Sequence, residues 1–303
     1  MSTASVPRLI STLESTHEVL GPWSLPTSKL FWEGFTPAAL AAQGEETTNE
    51  RATIERAQIR SVFLCDSDWQ RVETVVTQDG PVARISVTGK GNLEAATAQV
   101  SRFLSLDIDA REWPEVGRVD PVIANAQAQL PGLRPCGFHS PYEAAVWAVL
   151  SQRVQMRQAA KTKADLQDRY GDNGAFPAPD VLRGLSLDLP GRKAEYLHAV
   201  AESALEGRLA GSYLRSNPAH IALQEVQQIL GLGPFAAELV VIRGANFADV
   251  LPQNEHRLNA EIVEQYGAER PAAEIVEAWR PFRSWAAVHL RALREMRTHE
   301  IAG

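Results

Sequence analysis

Residues 227–239 carry the clearest indication of the fold; they are Gln227-Gln228-Ile229-Leu230-Gly231-Leu232-Gly233-Pro234-Phe235-Ala236-Ala237-Glu238-Leu239. A helical pattern ends in Gly-Leu-Gly, and a second apolar helix begins at once at Pro234. Proline suits a first helical turn because the N–H that it lacks would have no partner there. The stretch therefore predicts a tight hairpin of two helices. Its glycines permit close approach of another backbone, and the N–H groups that begin the second helix favour a phosphate.

An acidic residue follows this hairpin by about a dozen residues, in Leu251-Pro252-Gln253-Asn254-Glu255-His256-Arg257-Leu258. Taken alone, Glu255 is an ordinary acid at a helix start, where the positive end of the helix dipole stabilises it. Its place after the hairpin raises a second interpretation, in which the carboxylate faces a ligand held by the glycines. The segment also offers Asn254, and a register shifted by one residue would put an amide at that point.

These segments together resemble the helix-hairpin-helix DNA glycosylases, and most closely the DNA-3-methyladenine glycosylase II branch. The resemblance covers residues 116–303 well and residues 1–115 only loosely. It rests on an ordered set of segments: Ser140-Pro141-Tyr142-Glu143-Ala144-Ala145, Ser151-Gln152-Arg153-Val154, Gly191-Arg192-Lys193-Ala194, Gly231-Leu232-Gly233, Arg243-Gly244, the acid at 255, and Trp279-Arg280-Pro281-Phe282-Arg283-Ser284-Trp285-Ala286. It implies a base-excision-repair enzyme that removes alkylated bases of the 3-methyladenine type from double-stranded DNA.

The rest of the chain predicts an α+β protein in two parts. Short β-rich runs at 60–65, 72–77 and 82–87, with a hairpin signal at Asp79-Gly80 and a helix at about 92–105, predict an antiparallel sheet. Helical periodicity takes over after residue 120, broken by a linker at 171–179 that is rich in Gly and Pro. We therefore expect an α+β N-terminal domain, 1–115, and an all-helical domain with the helix-hairpin-helix, 116–303.

Composition and charge narrow the class of protein further. The formal charge of −7 is concentrated in residues 1–115, with 10 Lys/Arg against 16 Asp/Glu, so residues 116–303 are nearly neutral. A near-neutral domain can still present a basic face, and Arg153, Arg157, Lys161 and Lys163 supply four positive charges. No apolar run is long enough to span a membrane, and Met1 to Arg8 lack a signal-peptide pattern. We expect a cytoplasmic monomer that associates with the nucleoid through DNA.

Cofactors are not expected from the residue types present. Two distant cysteines, Cys65 and Cys136, cannot hold an iron–sulfur cluster, and the histidines show no metal-ligand spacing. We interpret both cysteines as buried small hydrophobic residues. The resemblance implies one weaker site, a structural monovalent cation beside the DNA phosphate, held by the main-chain carbonyls of Gln227, Ile229 and Leu232.

The chemistry that the resemblance implies needs a carboxylate. Breaking an N-glycosidic bond builds positive charge on the sugar at C1′, which a nearby carboxylate stabilises. Glu255 is the candidate, where the family keeps an aspartate, and it reaches about one methylene further. Phe235 stands where bifunctional relatives carry a nucleophilic lysine, so the chain should be monofunctional and use water. His256 and His289 are possible proton donors, but isolated histidines are more often structural.

Other positions follow from the same resemblance. Arg153 would either fill the gap that the flipped base leaves, where close relatives use an apolar wedge, or only contact a phosphate. Phe235, Trp285 and Arg291 would line the base pocket, with Arg291 where the closest relatives carry a stacking aromatic residue. A plain core position is an equal alternative for Phe235. The DNA backbone would be held by the hairpin residues Leu230, Gly231, Leu232, Gly233, Pro234 and Ala236.

Two other functions remain open at this point. One is a lesion-binding or structure-specific DNA-binding protein of the same fold that has lost catalysis, and it predicts DNA binding without base release. The other is a helical scaffold, and it predicts no effect on DNA binding when Gly231 or Gly233 is replaced.

Overall fold

The structure is a computed structural model that describes residues 10–35 and 58–299; Met1 to Arg8 lie outside these ranges. Its strands are β1 (Ser11–Glu18), β2 (Gln58–Leu64), β3 (Arg71–Asp79) and β4 (Val82–Gly89). Its helices are α1 (Leu25–Phe35), α2 (Leu93–Phe103), α3 (Trp113–Val119), α4 (Pro121–Gln129), α5 (Pro141–Leu150), α6 (Met156–Tyr170), α7 (Pro179–Gly184), α8 (Lys193–Leu205), α9 (Gly211–Arg215), α10 (Ala219–Gln227), α11 (Pro234–Leu239), α12 (His256–Tyr266), α13 (Ala272–Glu277) and α14 (Arg283–Thr298).

Four strands of the described residues form an antiparallel sheet in the order β1-β4-β3-β2. The three predicted strands, the Asp79-Gly80 turn and the helix after them are confirmed, with Asp79 paired to Val82 and Gly80 at φ +57°. Strand β1 was not predicted. Its sequence STLESTHE contains one large apolar residue, because it lies at the edge of the sheet with most side chains partly or fully exposed.

The sheet buries one face against α1 and α2. Phe63, Val72 and Ile85 are inaccessible to solvent and pack with Phe103 of α2. Helix α2 begins at Asn92, whose side-chain oxygen accepts a hydrogen bond from the N–H of Ala95 at 3.0 Å. We call residues 10–35 and 58–110 the sheet region. Its core also includes Val288 and Ala292 of α14, so helices α1 and α14 contribute to the same core.

Residues 113–299, which we call the helical region, contain two further large apolar cores. Helix α5 forms the centre of the first, to which it contributes seven buried side chains, and α8, α10 and α11 pack around it. The second joins α3 to α12, α13 and α14 through Trp113, Trp279 and Trp285. The predicted helical dominance after residue 120 is confirmed, as is the break near 171–178. The division into domains at residue 115 stays a prediction.

A buried ion pair within the sheet region also binds the helical region through Gly211. The Arg102 guanidinium donates to Asp66 Oδ2 at 2.6 Å, and the N–H of Gly211 donates to the same oxygen at 2.8 Å. Both charged side chains are less than a tenth exposed. Gly211 has to be glycine here, since a Cβ atom would lie 2.3 Å from the guanidinium carbon. The contact fixes the helical region against the sheet region.

Residues 10–35 and 58–299 contain neither a membrane-spanning helix nor a cluster of metal-ligating side chains. No helix in these ranges combines the length and apolar character needed to cross a membrane. In the same ranges, no group of three or more His, Cys, Asp or Glu side chains is placed to hold a metal ion. Cys65 and Cys136 are free and buried, in agreement with their interpretation as small core residues. Burial raises the pKa of the Cys136 thiol to about 12.

Candidate DNA-binding and catalytic site

The predicted hairpin is present. Helix α10 ends at Gln227, α11 begins at Pro234, and α11 continues into a π-helical turn, Val240–Gly244. The two glycines between the helices differ in what requires them. Gly231 has φ +91°, and a Cβ atom there would lie 2.3 Å from the Tyr196 ring, so the protein's own packing demands glycine. Gly233 has extended backbone, φ −80° and ψ −175°, and no heavy atom of the described residues would lie within 4 Å of its Cβ.

The hairpin turn exposes an unusual amount of apolar surface. Leu230 is 46% exposed and Phe235 is 48% exposed, and both Gly233 and Pro234 lie open between them. Leu232 and Ala236, also predicted to hold DNA, have buried side chains. These two residues can therefore offer a ligand only their main-chain atoms, whereas Leu230, Gly233 and Pro234 are exposed and Gly231 is partly exposed.

A second loop lies against this turn. The Gln152 side-chain amide donates to the carbonyl oxygen of Gly231 at 2.8 Å, and the Lys193 ammonium donates to that of Leu150 at 2.6 Å. Directly after these two anchors, Arg153 is exposed and has φ +54°, a left-handed conformation that non-glycine residues seldom adopt. The fold thus holds Arg153 at the tip of a braced loop beside the hairpin.

Glu238 connects the hairpin to the segment that carries Glu255. Its side chain is buried on α11, and its two carboxylate oxygens each accept a hydrogen bond at 3.0 Å, from the N–H groups of Gln253 and Asn254. The Asn254 amide donates to the same carboxylate at 2.7 Å. Phe235 lies one helical turn before Glu238 on the same helix face, so its exposed ring is placed near this segment.

Glu255 is the N-terminal cap of α12. Its Oε1 accepts a hydrogen bond from the N–H of Arg257 at 3.1 Å, and its side chain remains 27% exposed. The Arg291 guanidinium Nε on α14 lies 4.0 Å from the same oxygen, with the Arg291 side chain 15% exposed. Glu255 is therefore a carboxylate with one N–H bond and one cationic neighbour, and its side chain remains partly accessible to a ligand.

The segment before Glu255 is fixed at its other end by the start of α14. The Ser284 hydroxyl donates to the carbonyl oxygen of Val250 at 2.7 Å and accepts from the N–H of the same residue at 2.9 Å. The Arg283 guanidinium binds Asp249 at 2.8 Å. With Glu238 holding the middle, the segment has little freedom, and a rigid support is what a positioned catalytic carboxylate requires.

Known proteins are similar to this chain in both sequence and fold. No protein-family model matches the chain. The chain is 27% identical over 233 residues to DNA-3-methyladenine glycosylase 2 of Escherichia coli, covering 71% of this chain and 80% of that protein. Its homologues are helix-hairpin-helix DNA glycosylases. Within this superfamily of DNA repair proteins, its relatives include the 3-methyladenine glycosylases.

Two solved superfamily structures share the fold. The 3-methyladenine DNA glycosylase of Archaeoglobus fulgidus matches with a TM-score of 0.67 at 18% identity, over 94% of this chain and 99% of that one. The 8-oxoguanine glycosylase/lyase of Clostridium acetobutylicum, in complex with double-stranded DNA, matches with a TM-score of 0.56 at 16% identity, over 78% and 88%. The α+β prediction is confirmed by the first. Because the second is a glycosylase/lyase, the fold alone does not decide between the two mechanisms.

One residue that was predicted to belong to the basic face does not. Lys163 does not face outward with Arg153, Arg157 and Lys161; its side chain is 13% exposed, and its ammonium lies 3.5 Å from Glu143. Burial alone would raise the pKa of Glu143, but the charge of Lys163 and the neighbouring His139 outweigh it and hold the pKa at about 2. Lys163 is committed to this internal pair, and the exposed Lys161 is paired with Asp165 at 2.8 Å, so the four residues do not form one uncompensated basic face.

Two residues suggested for the pocket chemistry lie in the core. Trp285 is 2% exposed, and its ring packs 5.8 Å from Trp113 and 5.4 Å from Phe282, centroid to centroid. It therefore supports α14 from within and is left out of the proposed pocket wall. His289 is fully buried, and burial lowers its pKa to about 4, so it is neutral at physiological pH and has no proton to give to a base there.

Sequence reasoning missed the residues that brace the superfamily site. Glu238, Gln152 and Lys193 each contact a residue that is distant in the chain. The sequence separations are 15, 79 and 43 residues, respectively. A polar residue inside the apolar helix 234–244 was the one signal available for Glu238. Nothing local marks Gln152 or Lys193, because their partners are backbone carbonyl oxygens.

The carbonyls suggested for a monovalent cation lie in the hairpin turn. The carbonyl oxygen of Ile229 accepts a hydrogen bond from the N–H of Leu232 at 3.0 Å and keeps a second lone pair. Gln227 is exposed at the end of α10, so its carbonyl is placed at the same surface. Neutral carbonyl oxygens of this kind fit a hard cation.

Proposed function

We propose that this protein is a monofunctional DNA N-glycosylase of base excision repair that hydrolyses the N-glycosidic bond of alkylated bases of the 3-methyladenine type. One observation carries the proposal: Glu255, a partly exposed carboxylate, is held rigidly beside a hairpin whose turn is open to a DNA backbone. The sequence relationship to the 3-methyladenine glycosylase of Escherichia coli supports the substrate class.

The DNA duplex lies against the hairpin turn and the loop of Arg153. The main-chain N–H groups of Gly233, Phe235 and Ala236 bind a phosphate, with the openness of Gly233 allowing the strand to approach. The carbonyl oxygens of Gln227, Ile229 and Leu232 would hold a monovalent cation that balances the same phosphate. Arg153 enters the stack from its braced loop and occupies the space that the flipped nucleotide leaves.

The flipped base is placed between the exposed Phe235 ring and Glu255. As the C1′–N bond lengthens, the sugar acquires positive charge, and the Glu255 carboxylate stabilises that charge in a partly dry site. A water molecule attacks C1′, and its proton passes to the solvent. Phe235 has no amine to form a Schiff base, and Lys193 is buried against the Leu150 carbonyl. Hydrolysis therefore leaves an abasic site without strand cleavage.

The competing register, with Asn254 at the reacting sugar, is disfavoured by the hydrogen bonds of that residue. The Asn254 amide and its N–H both donate to the buried carboxylate of Glu238, whereas the Glu255 side chain is partly exposed and makes no contact with Glu238 among those described. The alternative function, a lesion-binding or structure-specific DNA-binding protein without catalysis, draws support from Arg291, because its charge partly neutralises Glu255 at 4.0 Å.

The test is base release from a duplex that carries methylated purines. Incubation with the full chain should yield free methylpurines and alkali-labile abasic sites, with no strand cleavage before alkali and no trapping of the protein by borohydride. Binding of the methylated duplex with no base released would establish the binding function instead. Borohydride trapping would contradict the monofunctional mechanism.

We also propose the organisation in which this activity operates. The chain acts as a monomer in the cytoplasm, associated with the nucleoid through DNA, and consists of an N-terminal unit, 1–115, and a glycosylase unit, 116–303. A sedimentation-equilibrium mass near 33.2 kDa for the isolated chain checks the first point.

A further inference from the structure

The pair formed by Glu255 and Arg291 brings opposite charges to the proposed reaction centre. Arg291 Nε lies 4.0 Å from Glu255 Oε1, and the two side chains are 15% and 27% exposed. Because these side chains are partly withdrawn from water, each charge is screened less than it would be on an open surface. A base bound beside Glu255 therefore also meets a guanidinium group, which stays protonated throughout the physiological range.

The position of Arg291 is fixed by the same elements that fix Glu255. Helix α14 begins at Arg283, whose ion pair with Asp249 and whose neighbour Ser284 attach it to the segment before Glu255. Arg291 lies two helical turns after Ser284 and so on the same face of α14. The guanidinium and the carboxylate are thus held against each other by the framework of the site.

Damaged bases differ in the charge that they carry when they leave. A purine alkylated at a ring nitrogen is cationic in DNA, and after the C1′–N bond breaks it departs as a neutral molecule. A neutral base takes the electron pair of that bond and departs with developing negative charge, until it gains a proton from solvent. The carboxylate stabilises the sugar in both cases, whereas a guanidinium stabilises only the second leaving group and repels the cationic base.

We propose that Arg291 is a specificity-determining residue that shifts this site from cationic toward neutral damaged bases. The inference rests on the proposed glycosylase function and extends its substrates from alkylated bases to neutral damaged bases. In the step, the electron pair of the C1′–N bond passes to the base, a water oxygen bonds to C1′, the water proton is lost to solvent, and the base nitrogen is protonated by solvent. Since His289 is buried and neutral, its imidazole supplies no proton to the leaving base, and charge stabilisation by Arg291 takes on that role.

The experiment compares two 6-oxopurines of similar shape, neutral hypoxanthine and cationic 7-methylguanine, in otherwise identical duplexes. Single-turnover release is measured with protein in excess, for the unmodified chain, Arg291→Gln and Arg291→Lys. Arg291→Gln should slow hypoxanthine release at least tenfold and leave 7-methylguanine release unchanged or faster. Arg291→Lys keeps the charge and should keep most of the neutral-base preference. Arg297→Gln is the matched control, because it removes a charge from the same helix at a residue paired with Glu261 and Glu264.

The outcomes separate this inference from the function beneath it. A parallel fall in the release of both bases by Arg291→Gln, or an unchanged ratio, overturns the role of Arg291 and leaves the glycosylase intact. Loss of the preference in both Arg291 variants shows that shape and not charge sets it, which also overturns the inference. Release of neither base by the unmodified chain contradicts the glycosylase proposal itself, and the preference fails with it.

Discussion

The sheet region and the helical region each contain an acid–arginine pair, and the two pairs differ in how fully the fold uses them. Asp66 and Arg102 meet at 2.6 Å and are less than a tenth exposed, and Asp66 also accepts a hydrogen bond from the N–H of Gly211. Glu255 and Arg291 meet at 4.0 Å, with 27% and 15% of their side chains exposed. The first pair is committed to holding the protein together, whereas the second remains accessible to a ligand.

This contrast extends to other residue types. Gly231 is required by its own φ angle and by Tyr196, while Gly233 is unconstrained by the described residues around it. Lys163 is committed to Glu143, and Arg153 is exposed on a braced loop. Residue type alone did not separate these cases. A residue is available to DNA when its side chain or main chain is not already bound within the fold. The following predictions test that rule.

Asp66→Asn should have the largest effect. It leaves the Arg102 charge buried without its counter-charge, so the free energy of unfolding should fall by about 3–5 kcal/mol. Denaturant titration measures this change. Asp79→Asn is the matched control, because Asp79 and Arg84 form an ion pair at 2.7 Å whose side chains are both more than half exposed. Its expected cost is less than about 1 kcal/mol. Equal losses for the two variants would break the distinction between committed and exposed pairs.

His289 should make the protein less stable in mild acid. Its pKa is lowered by burial to about 4, against 6.5 for the unburied group, so the unfolded chain binds a proton that the folded chain refuses. The full stability is present above pH 6.5, and up to about 3 kcal/mol is lost as the pH falls toward 4. Denaturant titrations across this range should show a shallower fall for His289→Gln. His256→Gln, at an exposed position, should leave the slope unchanged; an unchanged slope in both would remove His289 from the account.

Substitutions at the two hairpin glycines should affect stability and DNA binding separately. Gly233→Asn places a good helix cap where there is room for it, so the melting temperature should hold or rise. The same side chain competes with a phosphate for the N–H groups, and the Kd for duplex DNA should rise about ten- to hundredfold, which is roughly 1.4–2.8 kcal/mol. Gly231→Ala should instead destabilise the fold, because of its positive φ and the Tyr196 ring. Unchanged DNA affinity in Gly233→Asn would favour the helical scaffold.

Phe235→Ala should have the smallest effect and the most local one. Its ring is 48% exposed, so removal should cost little stability. Loss of a stacking surface for the flipped base should slow base release about tenfold, in line with the value of one base–aromatic contact. Phe235→Tyr retains the ring and should behave as the unmodified chain. A large drop in melting temperature for Phe235→Ala would instead assign the ring to the core.

Much of the fold was predictable because local patterns and tertiary structure agree. Strands β2 to β4 alternate in burial as their sequences alternate, and the helices at the hairpin are marked by glycine and proline at the positions where the chain turns. Strand β1 was missed because an edge strand with exposed side chains lacks the apolar alternation that marks a half-buried strand. The identity of its partner β4 is a long-range choice that no local pattern contains.

The site was predictable only where a resemblance named positions. Glu255, Arg291 and Phe235 were placed by their distance from the hairpin and from Ser284, and Glu255 and Arg291 do lie against each other. The direction of a side chain was not predictable. Trp285 and Lys163 turn inward because apolar and acidic partners from other elements, Trp113 and Glu143, offer them better contacts than water does. Such contacts arise from tertiary packing alone.

The central claim is that the exposed carboxylate of Glu255 performs the chemistry. The measurement is single-turnover base release from a methylated duplex by Glu255→Gln, with the Kd for the same duplex measured in parallel. Glutamine keeps the size of the side chain and removes its charge, so the rate should fall about a hundredfold or more while the Kd changes little. A rate equal to that of the unmodified chain would contradict the account and assign the chemistry to another group.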